Sequence, residues 1–256
     1  EMGAKQTNDI KEICDLVHPT IGIVTAVGEM HLETFKTVEN IQNTKFELIN
    51  SLPGSGLGVI NNDSPYISSY KGITSPCNII RYAVDGEGDY KAGDVRYGAN
   101  GVSFALNNGE QFSSRLLGDG NLLNILASIA VADHLGVPTA KQKNAIARLQ
   151  PVEHRLSMKV SGGITVLDDA YNSNPQGAKM ALAVLKGFTV AQGNKRIVIT
   201  PGFVEMGTRQ NEANKELGRT IATSCDYAIV VNATNREAIK KGIEEGGMSN
   251  EIVFYA

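Results

Sequence analysis

The densest group of polar residues follows the apolar run at 164–167. Asp168 and Asp169 stand side by side there, and Asn172 and Asn174 come shortly after them. In open α/β sheets the ligand crevice lies beyond the carboxyl ends of the strands, so carboxylates and amides at that edge are candidates for binding a ligand. Turns are polar for structural reasons as well, but a doubled carboxylate with two asparagines is more than a turn requires. We therefore expect this segment to line a site.

Lys45 is the most informative single residue, because it is charged and falls on an apolar helical face. Position 45 lies on the same side of a predicted helix as five apolar residues, Val38, Ile41, Leu48, Ile49 and Leu52. The stem of Lys45 can lie on the core while its ammonium group reaches solvent. Alternatively, Lys45 faces a site in which burial or a modification alters its charge. The spacing alone leaves both interpretations open.

His31 and a pair of asparagines are further candidates. His31 follows the apolar run at 21–27 and is either a ligand to a metal or phosphate or a loop histidine. Asn121 and Asn124 stand at the first turn of an apolar helix, where Asn121 is a candidate N-cap and both could face a ligand. Capping explains only one of the two. We assign structural or surface positions to the remaining histidines, His18, His134 and His154.

Apolar periodicity and turn residues predict the elements of the first 150 residues. The predicted order is helix 9–17, strand 21–27, helix 37–52, strand 57–60, and later helices 122–135 and 139–149. Thr37 is a plausible N-cap of the second helix. Residues 77–112 contain short β-like runs broken by Asp85-Gly86, Asn100-Gly101 and Asn108-Gly109. These hairpin signals predict a small antiparallel insert.

After residue 150 the pattern changes to a hairpin around Gly162-Gly163, with strands 156–160 and 164–167. Three further strands, 196–199, 227–231 and 251–255, then alternate with helices 176–187, 208–223 and 235–245. Strands and helices that alternate in this way predict right-handed βαβ units and a mainly parallel sheet. We therefore predict an α/β protein with two domains, 1–150 and 151–256.

The composition is that of a globular chain and excludes several classes of protein. The 256 residues carry 24 Lys+Arg against 27 Asp+Glu, a net charge of −3, and 42% are hydrophobic. No basic tract marks a nucleic-acid binder, and no apolar run of about 18 residues marks a membrane span. Three scattered cysteines fit a reducing compartment, so we expect a cytoplasmic protein. There is no GxxxxGK[ST] or GxGxxG motif, so a loop that grips nucleotide phosphates, if used, lies elsewhere.

Several short segments, spread over essentially the whole chain, are informative through their order and spacing. The segments are Glu1-Met2-Gly3-Ala4, His31-Leu32-Glu33, Thr44-Lys45-Phe46-Glu47, Asn61-Asn62-Asp63, Gly118 with Asn121-Leu122-Leu123-Asn124, His154-Arg155-Leu156, and Asp168-Asp169-Ala170-Tyr171-Asn172-Ser173-Asn174-Pro175. Taken together, they resemble the Mur ligase family. Within that family, the last segment is similar to the branch that adds D-alanyl-D-alanine to UDP-N-acetylmuramoyl-tripeptide.

The resemblance implies a fold and a function. Residues 1–150 would be the second part of a central, mainly parallel α/β ATPase domain with a small antiparallel insert. Residues 151–256 would be most of a Rossmann-like α/β C-terminal domain. The implied protein is an ATP- and Mg²⁺-dependent amide ligase of peptidoglycan precursor synthesis, a monomer with UDP-N-acetylmuramoyl-tripeptide and D-alanyl-D-alanine as substrates and with neither nucleic acid nor membrane as a partner.

The resemblance also implies residue roles. Glu1, His31 and a carbamylated Lys45 look like the family's ligands of a second magnesium ion, since a carbamate is an anionic oxygen donor whereas an ammonium group cannot bind a cation. Asn121 and Asn124 resemble the adenine contacts, and Asp169 the ribose contact. Arg155 resembles the arginine that reaches the ATP phosphates, and with His31 and Lys45 it would form the catalytic group. Asn172 and Asn174 would line the acceptor side.

The chain departs from the family pattern at two places. Gly120 stands where the family usually has histidine, and Thr200-Pro201-Gly202 stands where relatives often have Gly-Asp-Met. The phosphate loop of the family would lie before Glu1 and the last strands after Ala256, so we expect the chain by itself to be inactive. Two alternatives stay open: a sister ligase with another acceptor, of the folylpolyglutamate or cyanophycin synthetase type, and a non-catalytic nucleotide-binding module of the same fold.

Overall fold

The computed structural model describes residues 1–98, 101–171, 173–188, 191, 193–248 and the backbone of 252–255. The chain forms two compact units, Glu1–Gln150 and Pro151–Ala256. In the described residues no helix is long and apolar enough to cross a bilayer. The α/β fold class expected from the sequence is confirmed, with a mainly parallel central sheet.

The first unit is built on one sheet of six strands in the order β1-β2-β3-β4-β5-β6. The strands are β1 (Ile21–Val24), β2 (Leu57–Asn61), β3 (Asn78–Ala83), β4 (Tyr90–Gly98), β5 (Gly101–Leu106) and β6 (Gln111–Ser114). The helices are α1 (Asp9–Val17), α2 (Leu32–Phe35), α3 (Val38–Asn50), α4 (Pro65–Ser68), α5 (Asp119–His134) and α6 (Thr139–Ala147). Strand β1 ends at Val24, three residues before the end of the predicted run.

The antiparallel insert predicted for 77–112 is correct for β4 to β6 and wrong for β3. Strand β3 pairs in parallel with β2 over five residues, so it belongs to the main sheet. Asp85-Gly86 does not form the turn of an antiparallel hairpin. It forms a turn that is held by contacts with Asp63, a residue distant in the sequence. The carboxylate of Asp63, which follows β2, accepts hydrogen bonds from the backbone N–H groups of Val84 and Gly86, each at 2.6 Å.

Strand β2 lies between β1 and β3 and is buried on both faces, as expected for a parallel strand with an unbroken apolar sequence. Leu57 and Val59 point into a core that includes the apolar residues of α5. Ile60 belongs to a second core, which Ile41 and Ile49 of α3 complete. The predicted N-cap of α3 is confirmed, because the Thr37 hydroxyl accepts the N–H of Asn40 at 3.1 Å.

The second unit contains a hairpin and a parallel sheet. The hairpin pairs β7 (Ser157–Ser161) with β8 (Ile164–Asp168), and the parallel sheet has the order β11-β10-β9. Its strands are β9 (Ile197–Thr200), β10 (Tyr227–Val231) and β11 (Ile252–Tyr255), and the helices are α7 (Pro175–Gly187), α8 (Gln210–Ser224) and α9 (Arg236–Glu245). Residues of α8, α9 and β10 form its core, including Ile221, Val230 and Ile239.

A buried amide network lies beneath the loop that follows β9 and contains Pro201 and Gly202. The side chain of Asn214, fully buried on α8, accepts the N–H of Phe203 at 2.8 Å and donates to the carbonyl of the same residue at 3.1 Å. Asn235 donates to the carbonyls of Pro201 and Phe203, both at 2.9 Å. These hydrogen bonds fix the conformation of the loop, and they satisfy the bonded peptide groups of Pro201 and Phe203 without solvent.

Gly202 fits this network only because it has no side chain. Its φ is +78°, and a Cβ atom at this position would lie 2.3 Å from Oδ1 of Asn214 and 2.9 Å from Asn235. Gly163 in the hairpin turn has nearly the same φ, +79°, but a Cβ there would meet no atom within 4 Å. The two glycines therefore share the backbone requirement and differ in the space around them.

We predict that Gly202→Ala destabilises the protein much more than Gly163→Ala. Both substitutions carry the cost of a left-handed φ, about 1–2 kcal/mol. Gly202→Ala should lower the free energy of unfolding by roughly 2 kcal/mol more, because the added methyl group must displace a buried hydrogen-bonded amide. Urea denaturation of both variants measures the difference. Equal losses of stability would show that the amide network does not constrain the loop.

Candidate functional site

Three contacts fix the segment that carries Glu1. The Asp9 carboxylate accepts the N–H groups of Lys5 and Gln6 at 2.7 and 3.0 Å, and these bonds hold the pKa of Asp9 below its usual value. The Thr34 hydroxyl lies within hydrogen-bonding distance of the carbonyls of Lys5 and His31. Through Thr34, the N-terminal segment is joined to the loop of His31.

The third contact comes from α3. The carboxylate of Glu47 accepts the N–H of Asn8 at 3.0 Å and that of Lys11 at 2.8 Å. These N–H groups lie at the start of α1, where a helix offers them no carbonyl acceptor. The side chain of the N-cap residue Asn8 does not accept a hydrogen bond from them. Glu47 lies two residues after Lys45, so the same helix that carries Lys45 holds the start of α1.

Lys45 is half-buried on α3, next to the buried Thr44 and Phe46. Burial lowers the pKa of Lys45, and the nearby carboxylate of Glu1 opposes this shift. Glu1 and Lys45 are therefore electrostatic neighbours. A depressed pKa increases the fraction of neutral amine, which is the form that reacts with electrophiles such as carbon dioxide.

His31 starts the short helix α2 with a left-handed φ of +49°. In the described part of the chain, no three His, Cys, Asp or Glu side chains come together as a metal site. Glu1 and His31 alone do not make a magnesium site, and the ammonium group of unmodified Lys45 cannot add to one. A divalent cation at these residues would require an anionic oxygen on Lys45.

The polar residues after β2 form structural contacts. Asn61 is buried and donates to the carbonyl of Thr25 at 2.8 Å, and Asn62 donates to the carbonyl of Glu87 at 2.7 Å. With the contacts of Asp63 to the 84–86 turn, they connect the loops that follow β1, β2 and β3. This part of the predicted crevice is thus a scaffold.

The start of α5 differs from the prediction. The helix begins at Asp119 with Gly118 as the N-cap, so Asn121 lies in the first turn and is not the cap. Its side chain donates to the carbonyl of Leu117 at 2.8 Å. Asn124 is exposed one turn later on the helix. The Asp119 carboxylate accepts a hydrogen bond from the Tyr97 hydroxyl, and burial together with this bond raises the pKa of Tyr97.

In the second unit, His154-Arg155-Leu156 and Asp168–Tyr171 lie against each other. We call these two segments the hairpin lock, because they flank the β7–β8 hairpin. The N–H of Leu156 donates to Oδ1 of Asp169 at 3.0 Å, and the N–H of Tyr171 donates to the carbonyl of His154 at 3.1 Å. Nδ1 of His154 lies 2.8 Å from Oδ2 of Asp168. The register of the hairpin, which pairs Ser157 with Asp168, brings the segments together.

The hairpin lock holds a strained backbone. His154 and Leu156 have φ angles of +62° and +48°, in the left-handed region that non-glycine residues rarely adopt. Such residues cost about 1–3 kcal/mol each and persist where surrounding contacts impose them. Here the hydrogen bonds of Asp169 and His154 do so. Strain of this kind is common at functional sites, and the residue between the two strained positions is Arg155.

Asp169 and Arg155 keep hydrogen-bonding capacity for a ligand. Burial raises the pKa of Asp169, and the Leu156 N–H and the charge of Arg155 oppose the shift. Only Oδ1 of this carboxylate has a hydrogen bond within the described residues. The guanidinium group of Arg155 lies over the ring of Tyr171, with Cζ 4.3 Å from the ring centroid.

The predicted acceptor-side residues have different outcomes. Asn174 caps α7, since its Oδ1 accepts the N–H of Gly177 at 2.9 Å. Asn172 lies outside the described residues. Sequence reasoning missed the contacts of His154 and Tyr171. The signal for them was present, because counting across Gly162-Gly163 pairs position 156 with position 169.

Comparisons with known proteins cover both units. The sequence family described as Mur ligase middle domain matches residues 1–132, and that described as Mur ligase, glutamate ligase domain matches residues 154–256. The UDP-N-acetylmuramoyl-tripeptide–D-alanyl-D-alanine ligase of Bacillus subtilis is 26% identical over 227 residues, which are 87% of this chain and 48% of the relative. The ligase of the same name from Mycobacterium tuberculosis H37Rv is 34% identical over 191 residues, 72% of this chain and 37% of the relative.

A solved structure agrees with these matches. The MurF ligase of Thermotoga maritima, in complex with ADP, superposes with a TM-score of 0.85 and 26% identity, covering 100% of this chain and 57% of that one. The chain spans about half the length, or less, of the curated relatives that it matches.

We predict that Lys45 titrates below an ordinary lysine in the absence of divalent cations and carbon dioxide. NMR titration of the lysine side chains measures its pKa. Glu1→Gln should lower the pKa of Lys45 further, because it removes the charge that opposes the effect of burial. Glu33→Gln, which removes an exposed carboxylate, serves as the matched control and should leave it unchanged. A pKa of Lys45 at or above the usual value, or a rise in Glu1→Gln, would contradict the prediction.

Proposed function

The chain belongs to the Mur ligase family, and from that membership we propose that the whole protein is an ATP-dependent amide ligase that joins D-alanyl-D-alanine to UDP-N-acetylmuramoyl-tripeptide. The observation that carries the proposal is the hairpin lock. It places Arg155 and Asp169 on two backbone segments that hydrogen bonds already join, and the charge of Arg155 acts on the Asp169 carboxylate. These two groups suit a nucleotide, whose phosphates are anionic and whose ribose offers hydroxyl donors.

We assign the nucleotide contacts as follows. Arg155 binds the phosphates of ATP, and the charge-assisted hydrogen bonds of its planar fork stabilise the transferring phosphoryl group. Asp169 accepts hydrogen bonds from the ribose through the oxygen that the lock leaves unbonded. Asn121 and Asn124, on successive turns of α5, contact the adenine. The exposed amide of Asn124 supports this assignment more directly than Asn121, whose NH₂ group already donates to Leu117.

We assign a magnesium ion to Glu1, His31 and carbamylated Lys45. The ion supplies positive charge that offsets the charge on the transferring phosphoryl group. Carbamylation converts a cationic side chain into an anionic oxygen donor, and the depressed pKa of Lys45 favours the neutral amine that this modification needs. The charge of Glu1, which raises the pKa of the free amine, would oppose a second anion in the absence of the cation. The carbamate and the ion would therefore stabilise each other.

The reaction has two steps. The terminal carboxylate of the tripeptide attacks the γ-phosphorus of ATP, which forms an acyl phosphate and releases ADP. The amine of D-alanyl-D-alanine then attacks the acyl carbon, an amide bond forms, and inorganic phosphate leaves with the electron pair of the broken C–O bond. The amine loses a proton in this step. Asn172 and Asn174 lie in the segment that we assign to the acceptor.

Two other functions are tested together with this one. A sister ligase would use the same phosphate and metal residues with glutamate or another amino acid as acceptor. A non-catalytic module would bind nucleotide and transfer nothing.

Three free, buried cysteines, Cys14, Cys77 and Cys225, are compatible with the reducing cytoplasm, where we place the protein.

The decisive experiment is a ligase assay on the protein at its natural length. We expect release of ADP and phosphate that requires both UDP-N-acetylmuramoyl-tripeptide and D-alanyl-D-alanine. Activity with L-glutamate in place of the dipeptide would favour a sister ligase, and nucleotide binding without turnover would favour the binding module. Lys45→Ala should lose activity and regain part of it with acetate or another short carboxylic acid. A fully active Lys45→Ala enzyme would show that carbamylated Lys45 is not needed for the reaction.

A further inference from the structure

The guanidinium group of Arg155 is oriented by an aromatic ring and not by a carboxylate. Its Cζ atom lies 4.3 Å from the centroid of the Tyr171 ring. Both side chains are exposed, and 65% of the surface of Tyr171 is accessible. Within the described residues, Arg155 is not a member of any ion pair. The ring of Tyr171 is thus the direct contact of this guanidinium group, and the Asp169 carboxylate acts on it only through its charge.

A ring contact has a consequence that an ion pair would not have. A carboxylate partner would occupy the N–H donors of the guanidinium group, which lie in its plane. An aromatic ring attracts the cation through its face and leaves the donors in the plane available. An exposed arginine without such a contact samples many rotamers and loses that freedom when it binds a phosphate.

The position of the ring is itself fixed by the hairpin lock. The N–H of Tyr171 donates to the carbonyl of His154, the residue just before Arg155, at 3.1 Å. Nδ1 of His154 lies 2.8 Å from Oδ2 of Asp168, three residues before Tyr171. The backbones that carry the ring and the arginine are thus bonded to each other directly.

We propose that Tyr171 is a positioning residue, which holds the guanidinium group of Arg155 with its N–H donors free for the terminal phosphate of a nucleoside triphosphate. This inference rests on the proposed function, because it takes the phosphate role of Arg155 as given. Tyr171 does not touch the nucleotide. Its removal therefore affects the triphosphate, which has a γ-phosphate, more than the diphosphate, which lacks it.

The test compares Tyr171→Leu with Tyr171→Phe in the protein at its natural length. Tyr171→Leu removes the ring, and we expect a roughly two- to fivefold loss of affinity for the non-hydrolysable analogue AMP-PNP, the range of an exposed cation–π contact. The affinity for ADP should change less. Tyr171→Phe keeps the ring and should restore AMP-PNP affinity. Isothermal titration calorimetry measures both ligands, and steady-state kinetics should show the same ordering in the KM for ATP.

Tyr227→Leu is the matched control, because Tyr227 is another ring under a cation in the same unit, with Nζ of Lys195 5.6 Å from its centroid. It should leave the ratio of AMP-PNP to ADP affinity unchanged. A Tyr171→Leu variant that loses affinity for both nucleotides equally, with a lowered Tm, would assign the ring a structural role and overturn the proposal.

The variant Arg155→Ala distinguishes a failure of the positioning role of Tyr171 from a failure of the phosphate-binding role of Arg155. If Arg155→Ala weakens AMP-PNP binding and Tyr171→Leu does not, the positioning role is wrong and the phosphate role of Arg155 stands. If Arg155→Ala has no effect on AMP-PNP binding or on turnover, the phosphate role fails, and the positioning role fails with it.

Discussion

The hydrogen bond from the N–H of Leu156 to the carboxylate of Asp169 is the constraint on which the candidate site of the second unit depends. It joins the two segments that flank the hairpin, and it helps to impose the left-handed backbone at His154 and Leu156. Without it, the two segments would be joined only by the hairpin register and by the contacts of His154 with Asp168 and Tyr171. With it, the backbone segments that carry Arg155 and Asp169 are fixed before any ligand binds, which reduces the entropy lost on binding.

The first unit applies the same principle with different residues. Buried or bidentate side chains bond to backbone groups of distant loops: Asn61 to the loop after β1, Asp63 to the turn after β3, and Glu47 to the start of α1. Each contact satisfies backbone groups that have no partner in a helix or strand. The Glu47 contact joins the start of α1 to the helix that carries Lys45. Many polar residues at the ends of strands therefore hold neighbouring loops in place, and these side chains are not available to bind a ligand.

Local patterns in the sequence predicted the fold correctly where the structure of an element depends on residues within or next to that element. The Thr37 cap, the apolar strand β2 and the hairpin around Gly162-Gly163 are of this kind. The pattern failed where a distant residue decides: Asp63 holds the Asp85-Gly86 turn between two parallel strands. The error at α5 is local, because Gly118 and not Asn121 is the N-cap and the helix starts three residues early. The buried amides Asn214 and Asn235 meet only in the folded chain, so no local pattern reveals their network.

The most direct test of a preformed site is backbone hydrogen exchange at two positions, Leu156 and Tyr171, measured by NMR without nucleotide. We expect both amides to exchange much more slowly than in an unstructured peptide, because each donates to an acceptor within the hairpin lock. Asp169→Ala should abolish the protection of Leu156. Exchange of both amides at the rate of an unstructured chain would mean that the lock forms only with ligand, and would contradict the central claim.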